Sequence, residues 1–350
     1  MTAGARLGWR SAVRSLATAL EPVVPALVLL WLPRLVASIG DLPGVDSAGH
    51  TALSIPALFV GGLAPLWVAA GWARLRGRSL TGMVRLLRER GWLGARLVRF
   101  LVLAPTLTAF FANFATWKSA IPLFYPGFPW DAPLEQLEIW VHGDHPDRLL
   151  APLFGSPRAI LLLDRLYHAW FYMLFILVIW QAWEADNRRL RQFWMSFALV
   201  WVVLGIIMAA GFASAGPIYA GLDRGSASYA DLLARLQAAE ALTPLYVHIS
   251  SWSLWEAFRQ PGISIGDGIS AFPSLHVALA SLAVAAAWQA NRWVGGLAAS
   301  YALLLLVGSI MLGWHYALDG EAAIIGAAVI WMVTGRWASA SYPRRAATEP

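Results

Sequence analysis

DGISAFPSLHVALASLAVAAAW, residues Asp267–Trp288, is the stretch on which the fold turns. From Val277 it continues with small and branched apolar side chains for most of the length of a bilayer-crossing helix. Ser274 and His276 stand at the head of that helix, where neither assists entry into lipid. Pro273 suits a first helical turn, and a turn so begun directs its free backbone N–H groups, around Ser274 and Leu275, at anything anionic, including phosphate. The stretch therefore predicts a membrane helix with a polar job at one end.

The rest of the chain agrees on the solvent. Hydrophobic residues make up 59% of 350 positions and charged residues 13%, well to the apolar side of soluble usage. About eight stretches reach the roughly 20 apolar residues a span requires: 20–39, 52–73, 97–116, 159–181, 193–213, 272–290, 293–313 and 317–335. The expected class is all-α, a polytopic membrane helical bundle. The first stretch follows Arg6, Arg10 and Arg14 but contains Pro22, Pro25 and Pro33 and no obvious cleavage site. It reads as a retained anchor. With no cysteine, disulfides and thiolate metal sites are excluded. The formal charge of +6 does not point to nucleic acid, because in a membrane chain the placement of basic residues matters more than their sum.

That placement is uneven. With a cytoplasmic N-terminus, the inside segments collect Arg6, Arg10 and Arg14, the arginine run from Arg74 to Arg99, Arg188, Arg189, Arg191, Arg292, Arg336, Arg344 and Arg345. Both termini are then cytoplasmic, and the polar ends at 267–276 and 313–320 share the extracytoplasmic face of a cell membrane. Two outer segments, 117–158 and 214–271, are long enough to be structured. DAPLEQLEIWVHG begins with an acid and a proline before a short amphipathic run, and SYADLLARLQAAEAL sets Tyr229, Leu232, Leu233 and Leu236 on one face; such helices can lie in the interface plane. The expected organisation is a two-helix extension with a basic loop over 1–96, a six-helix membrane core over 97–338 and a tail over 339–350.

In GWHYALDG, His315 and Asp319 are four residues apart, so on a helix the carboxylate can hold the imidazole. A histidine supported in this way serves as a nucleophile, and a second histidine can protonate a leaving oxygen. Two histidines, an aspartate and a phosphate-friendly helix start suggest phosphoryl transfer through phosphohistidine. No cofactor or metal is required.

At these residues the chain resembles the type 2 phosphatidic acid phosphatase superfamily. PSLH at 273–276 is similar to its second motif, and HYALD at 315–319 to the His-x-x-x-Asp end of its third. The resemblance implies His315 as nucleophile, Asp319 as its orienting partner, His276 as general acid and then base, and Ser274 as a phosphate ligand. Two departures stand out. Ser309 occupies the place of the phosphatases' third-motif arginine, and the Lys-x6-Arg-Pro first motif is missing where SAGPIYAG stands at 214–221. With Leu275 in place of glycine and WKSAIP at 117–122, the chain looks closer to the inositol phosphorylceramide synthase branch. This implies a transferase that moves a phosphoryl or phospho-head-group from a membrane lipid donor to a hydroxylated lipid. A lipid phosphate phosphatase with water as acceptor is the alternative, and a lipid transporter or binding protein the alternative of another class. Lys118, with Arg224 and Arg259 behind it, is the candidate phosphate cation. Asp164 and His168 share a helix face, where structural pairing and head-group binding are equally open. HGDHPD at 142–147 offers His142, Asp144 and His145 to a metal but reads better as a polar loop.

Overall fold

The computed structural model describes residues 15–39, 94–121, 127–259 and 268–343. The expected span at 52–73 lies outside the described residues. Among these residues there is no strand; the chain is an all-α bundle with five helices long and apolar enough to cross a membrane.

The N-terminal helix α1 runs Val24–Ile39 and α2 runs Gly94–Ala120. Three shorter helices follow, α3 Asp131–His142, α4 Pro146–Phe154 and α5 Pro157–His168, the last continuing after Ala169 into α6, Trp170–Ala182. Pro157–Ala182 makes one span of 26 residues. Ser156 starts it by accepting the N–H of Ala159, with Pro157 at the first helical position. Helix α7, Asn187–Leu199, is capped by Asp186 and runs into a π-helix over Val200–Met208. Helices α8, Ala230–Glu240, and α9, Tyr246–Arg259, cover one end of the bundle; α8 buries Leu232 and Leu236, and Tyr229 at its N-cap is buried beside them. The last three are α10 Leu275–Ala290, α11 Arg292–Met311 and α12 Ala317–Ser341.

Asn291 turns α10 into α11 by accepting the N–H groups of Trp293 and Val294. The two helices form a hairpin, with α12 against α10 and α7. At 16 residues α10 is about 24 Å long, short of the roughly 30 Å hydrocarbon layer, whereas α11 has 20 residues. The head of α10 is therefore set back inside the bundle. Trp170, midway along the Pro157–Ala182 span, reaches it by donating its indole N–H to the carbonyl of His276 at 3.1 Å. The opposite end is marked by Gln192, Gln289, Tyr342 and the segment 185–189 at the start of α7, which line a common surface pocket.

One local expectation is corrected. Pro273 is not in the first turn of α10: Ser274 is the N-cap and Leu275 the first helical residue. The physical reason is the serine hydroxyl, which accepts the N–H of Val277 at 3.4 Å and satisfies a donor that proline one position earlier cannot.

Candidate active site

Two loops bring the motif residues together. The N–H of Ser274 donates to the carbonyl of Asp319 at 3.0 Å, which ties the head of α10 to the head of α12. The turn before α12 is tight at Gly313, whose φ of 76° favours glycine and where a Cβ would meet Leu232 at 2.8 Å. His315 follows, and its ring lies 6.3 Å from that of His276, centroid to centroid.

Nδ1 of His315 lies 2.8 Å from the carbonyl oxygen of Ala271 and 3.3 Å from Oδ2 of Asp319. Both are acceptors, so Nδ1 carries the proton and Nε2 holds the lone pair. Asp319 thus shares the orienting task with a backbone carbonyl nearer than itself. Its Oδ2 also accepts the N–H of Tyr316 at 3.0 Å, which begins α12, while its Oδ1 has no hydrogen-bond partner among the described residues.

His276 is held by aromatic rings, which the sequence reading missed. Tyr167 stacks on it at 4.9 Å and 20°, and Trp170 lies at 4.1 Å. Neither residue has a local spacing that announces this role, since each is more than 100 positions away.

Both histidines line a cavity of about 500 Å³. Lys118, from the end of α2, and His168 belong to its polar lining; Phe111, Phe114, Phe171, Phe175 and Trp201 form an apolar wall among α2, α6 and the π-helix. Leu275 packs at the same wall, opposite Gly205, where a Cβ would come within 3.2 Å of it.

The remaining site expectations divide. Ser274 is fully buried, its hydroxyl capping α10, and it does not line the cavity. Asp164 lies behind His168: its two oxygens accept the N–H groups of Val247 and Tyr246 at 2.9 Å, capping α9, and Oδ2 also meets Arg165. His168 donates its Nδ1–H to the carbonyl of Asp164 at 2.9 Å. Arg224 pairs with Glu135 at 2.7 Å and Arg259 with Glu256 at 3.8 Å. Within HGDHPD, His142 turns to Glu321, His145 to Glu135 and Tyr229, and Asp144 to the N–H of His145. Ser309, at the position of the phosphatases' arginine, is buried; its hydroxyl donates to Leu306 and its carbonyl accepts the N–H of His315.

Outside the spans, α3 lays carboxylates against this machinery. Glu138 accepts the N–H of Ala317, the first residue of α12, and burial pushes its carboxyl up to about 8, with the N–H of Ala317 opposing and Asp319 adding to the rise.

The two histidines and Lys118 thus share one cavity with an aromatic wall, among helices long and apolar enough to cross a membrane. Residues 132–333 match the family model described as the PAP2 superfamily, and the chain belongs to that superfamily. Its members are phosphatases and phosphotransferases, which makes the chain an enzyme of that broad kind. No curated protein and no solved structure matches it.

Proposed function

We propose that the chain is an integral membrane phosphotransferase that moves a phosphoryl or phospho-head-group, phosphoinositol being one candidate, from a lipid donor to a hydroxylated lipid. Nε2 of His315 attacks phosphorus, the bond from phosphorus to the donor's alcohol oxygen breaks, and His276 protonates that oxygen. The acceptor hydroxyl then gives its proton to His276 and attacks the phosphohistidine, breaking the P–N bond and freeing His315. Nδ1–H stays on Ala271 and Asp319 throughout, and Lys118 faces the phosphate charge. His168, with Asp164 behind it, lines the cavity, and Ser274 serves the phosphate through the helix start it caps.

The observation that carries this reading is the continuity of the cavity, which joins the two histidines to an aromatic wall among the spans. A lipid chain fits beside that wall, and an apolar lining keeps water from the intermediate, as a transferase requires. Charge supports an extracytoplasmic site. At the site end arginines are neutralised, Arg224 by Glu135, Arg235 by Asp147 and Arg148 by Asp144. At the other end Arg191 pairs with Glu21, while Arg188, Arg189 and Arg292 have no carboxylate partner among the described residues, which fits a cytoplasmic face.

The test is purified protein in lipid bilayers given phosphatidylinositol labelled in its phospho-head-group. Transfer of label to a hydroxylated lipid faster than release to water supports the proposal. Release of phosphate from a lipid monoester, unaffected by added alcohols, makes the chain a phosphatase, and no turnover of any lipid phosphate returns it to the transporter class.

A further inference from the structure

Asp131, Glu135 and Glu138 recur at i, i+4 and i+7 of α3, on one face of the helix, and are only 1%, 8% and 2% exposed. A surface helix ordinarily hides its apolar face. This one hides its acids and leaves Leu137, Trp140 and Val141 exposed. Buried carboxylates are costly unless fully hydrogen-bonded, and the bonds of Asp131 lead to the proposed nucleophile from two directions. Its Oδ1 accepts the hydroxyl of Tyr316, the residue after His315, at 2.9 Å, and the N–H of Gly216 at 3.0 Å; its Oδ2 accepts the N–H of Ala215 at 2.9 Å. The 214–216 loop in turn holds the 271–272 segment, with the N–H of Ala271 on the carbonyl of Ser214 at 2.8 Å and that of Phe272 on the Ser214 hydroxyl at 3.0 Å. The carbonyl of Ala271 is the one that Nδ1 of His315 bonds.

The contacts close a ring: Asp131, the 214–216 loop, Ala271, His315, Tyr316 and back to Asp131. We propose that Asp131 and the Tyr316 hydroxyl are positioning residues that clamp the His315 imidazole on the carbonyl of Ala271, setting its tautomer and the direction of Nε2. The proposal rests on the reading of His315 as nucleophile. Neither residue touches substrate; each acts through the bond that keeps the proton on Nδ1. Orienting partners of this kind typically cost 10–100-fold in activity when removed at metal sites, and a loss of about tenfold or more is expected here.

The experiment uses the full chain in lipid nanodiscs with 15N-labelled histidine, comparing wild type with Tyr316→Phe and Asp131→Asn. In wild type the ring of His315, assigned by its loss in His315→Ala, should show a single Nδ1–H tautomer, and each variant should show a mixture. With labelled phosphatidylinositol, both variants should lose about tenfold or more in the rate of label capture, while KM and the thermal midpoint of Tyr316→Phe stay near wild type. Tyr316→Phe removes one oxygen and carries the test should Asp131→Asn not fold. A wild-type tautomer in Tyr316→Phe, or a falling thermal midpoint with the tautomer intact, overturns the clamp. If His315→Ala retains turnover, or wild type handles no lipid phosphate, the functional reading fails instead, and the tautomer measurement still decides the clamp.

Discussion

At the residue scale the proposed mechanism divides its labour between two imidazoles whose surroundings are unequal. His315 has its Nδ1 fixed by two acceptors, while His276 packs against the rings of Tyr167 and Trp170, with no acceptor for its ring nitrogens among the described residues. The first suits a nucleophile and the second a group that passes a proton to and fro. His315→Ala should abolish covalent capture of labelled phosphate. His276→Ala should retain slow capture when the leaving group is a good one such as nitrophenolate, because proton donation is then less needed; gel detection of the labelled protein reads both. Asp319→Asn should lose less than His315→Ala, since the carbonyl of Ala271 still holds Nδ1. An equal loss would assign the orienting role to the carboxylate alone. Chelators should leave all these rates unchanged.

At the scale of elements, α3 and the π-helix each carry a consequence. Glu138, raised to about 8 by burial, binds a proton in the folded protein that the unfolded chain releases near pH 4.5. Its contribution favours folding at low pH and is lost as pH rises through that window, at up to about 1.4 kcal/mol per unit for one proton. The thermal midpoint in nanodiscs should therefore fall between pH 5 and 8, and Glu138→Gln should flatten that fall. An unchanged slope would mean that Glu138 is ionised where it lies. The π-helix matters through Gly205: a Cβ there would come within 3.0 Å of Phe114 and 3.2 Å of Leu275, so the neighbours must give toward the cavity. Gly205→Ala should raise KM several-fold for a long-chain donor and little for a short-chain one. Equal effects on both donors would remove the wall from the lipid path.

For the whole molecule, sidedness is the open consequence of the fold. The site end and the segment 185–189 lie at opposite ends of the bundle, and the chain is naturally free of cysteine. Ala227→Cys, at an exposed site-end position, should react with a membrane-impermeant thiol reagent in intact cells, and Ala185→Cys only after permeabilisation. The reverse pattern would put the cavity in the cytoplasm and exclude an outer-leaflet substrate.

How much of this was legible beforehand follows from distance along the chain. Spans could be read because crossing lipid is a local demand, met by about 20 apolar residues in a row; four of those expected from 159 to 335 coincide with helices long and apolar enough to cross, while 272–290 forms the shorter α10. The pairing of His315 with Asp319 was legible for the same reason: an i,i+4 contact acts within one turn. Asp164 shows where local reading ends. Its spacing to His168 was visible, yet its carboxylate caps a helix that begins 82 residues later. DAPLEQLE displayed its acidic stripe openly, but amphipathicity alone does not say which face meets protein and which meets lipid. The tertiary structure decided that by offering Tyr316, Ala317 and the 214–216 loop as donors to buried acids. It alone also placed Tyr167 and Trp170 around His276 and joined the cavity to an aromatic wall, because these depend on contacts between segments that only packing brings together.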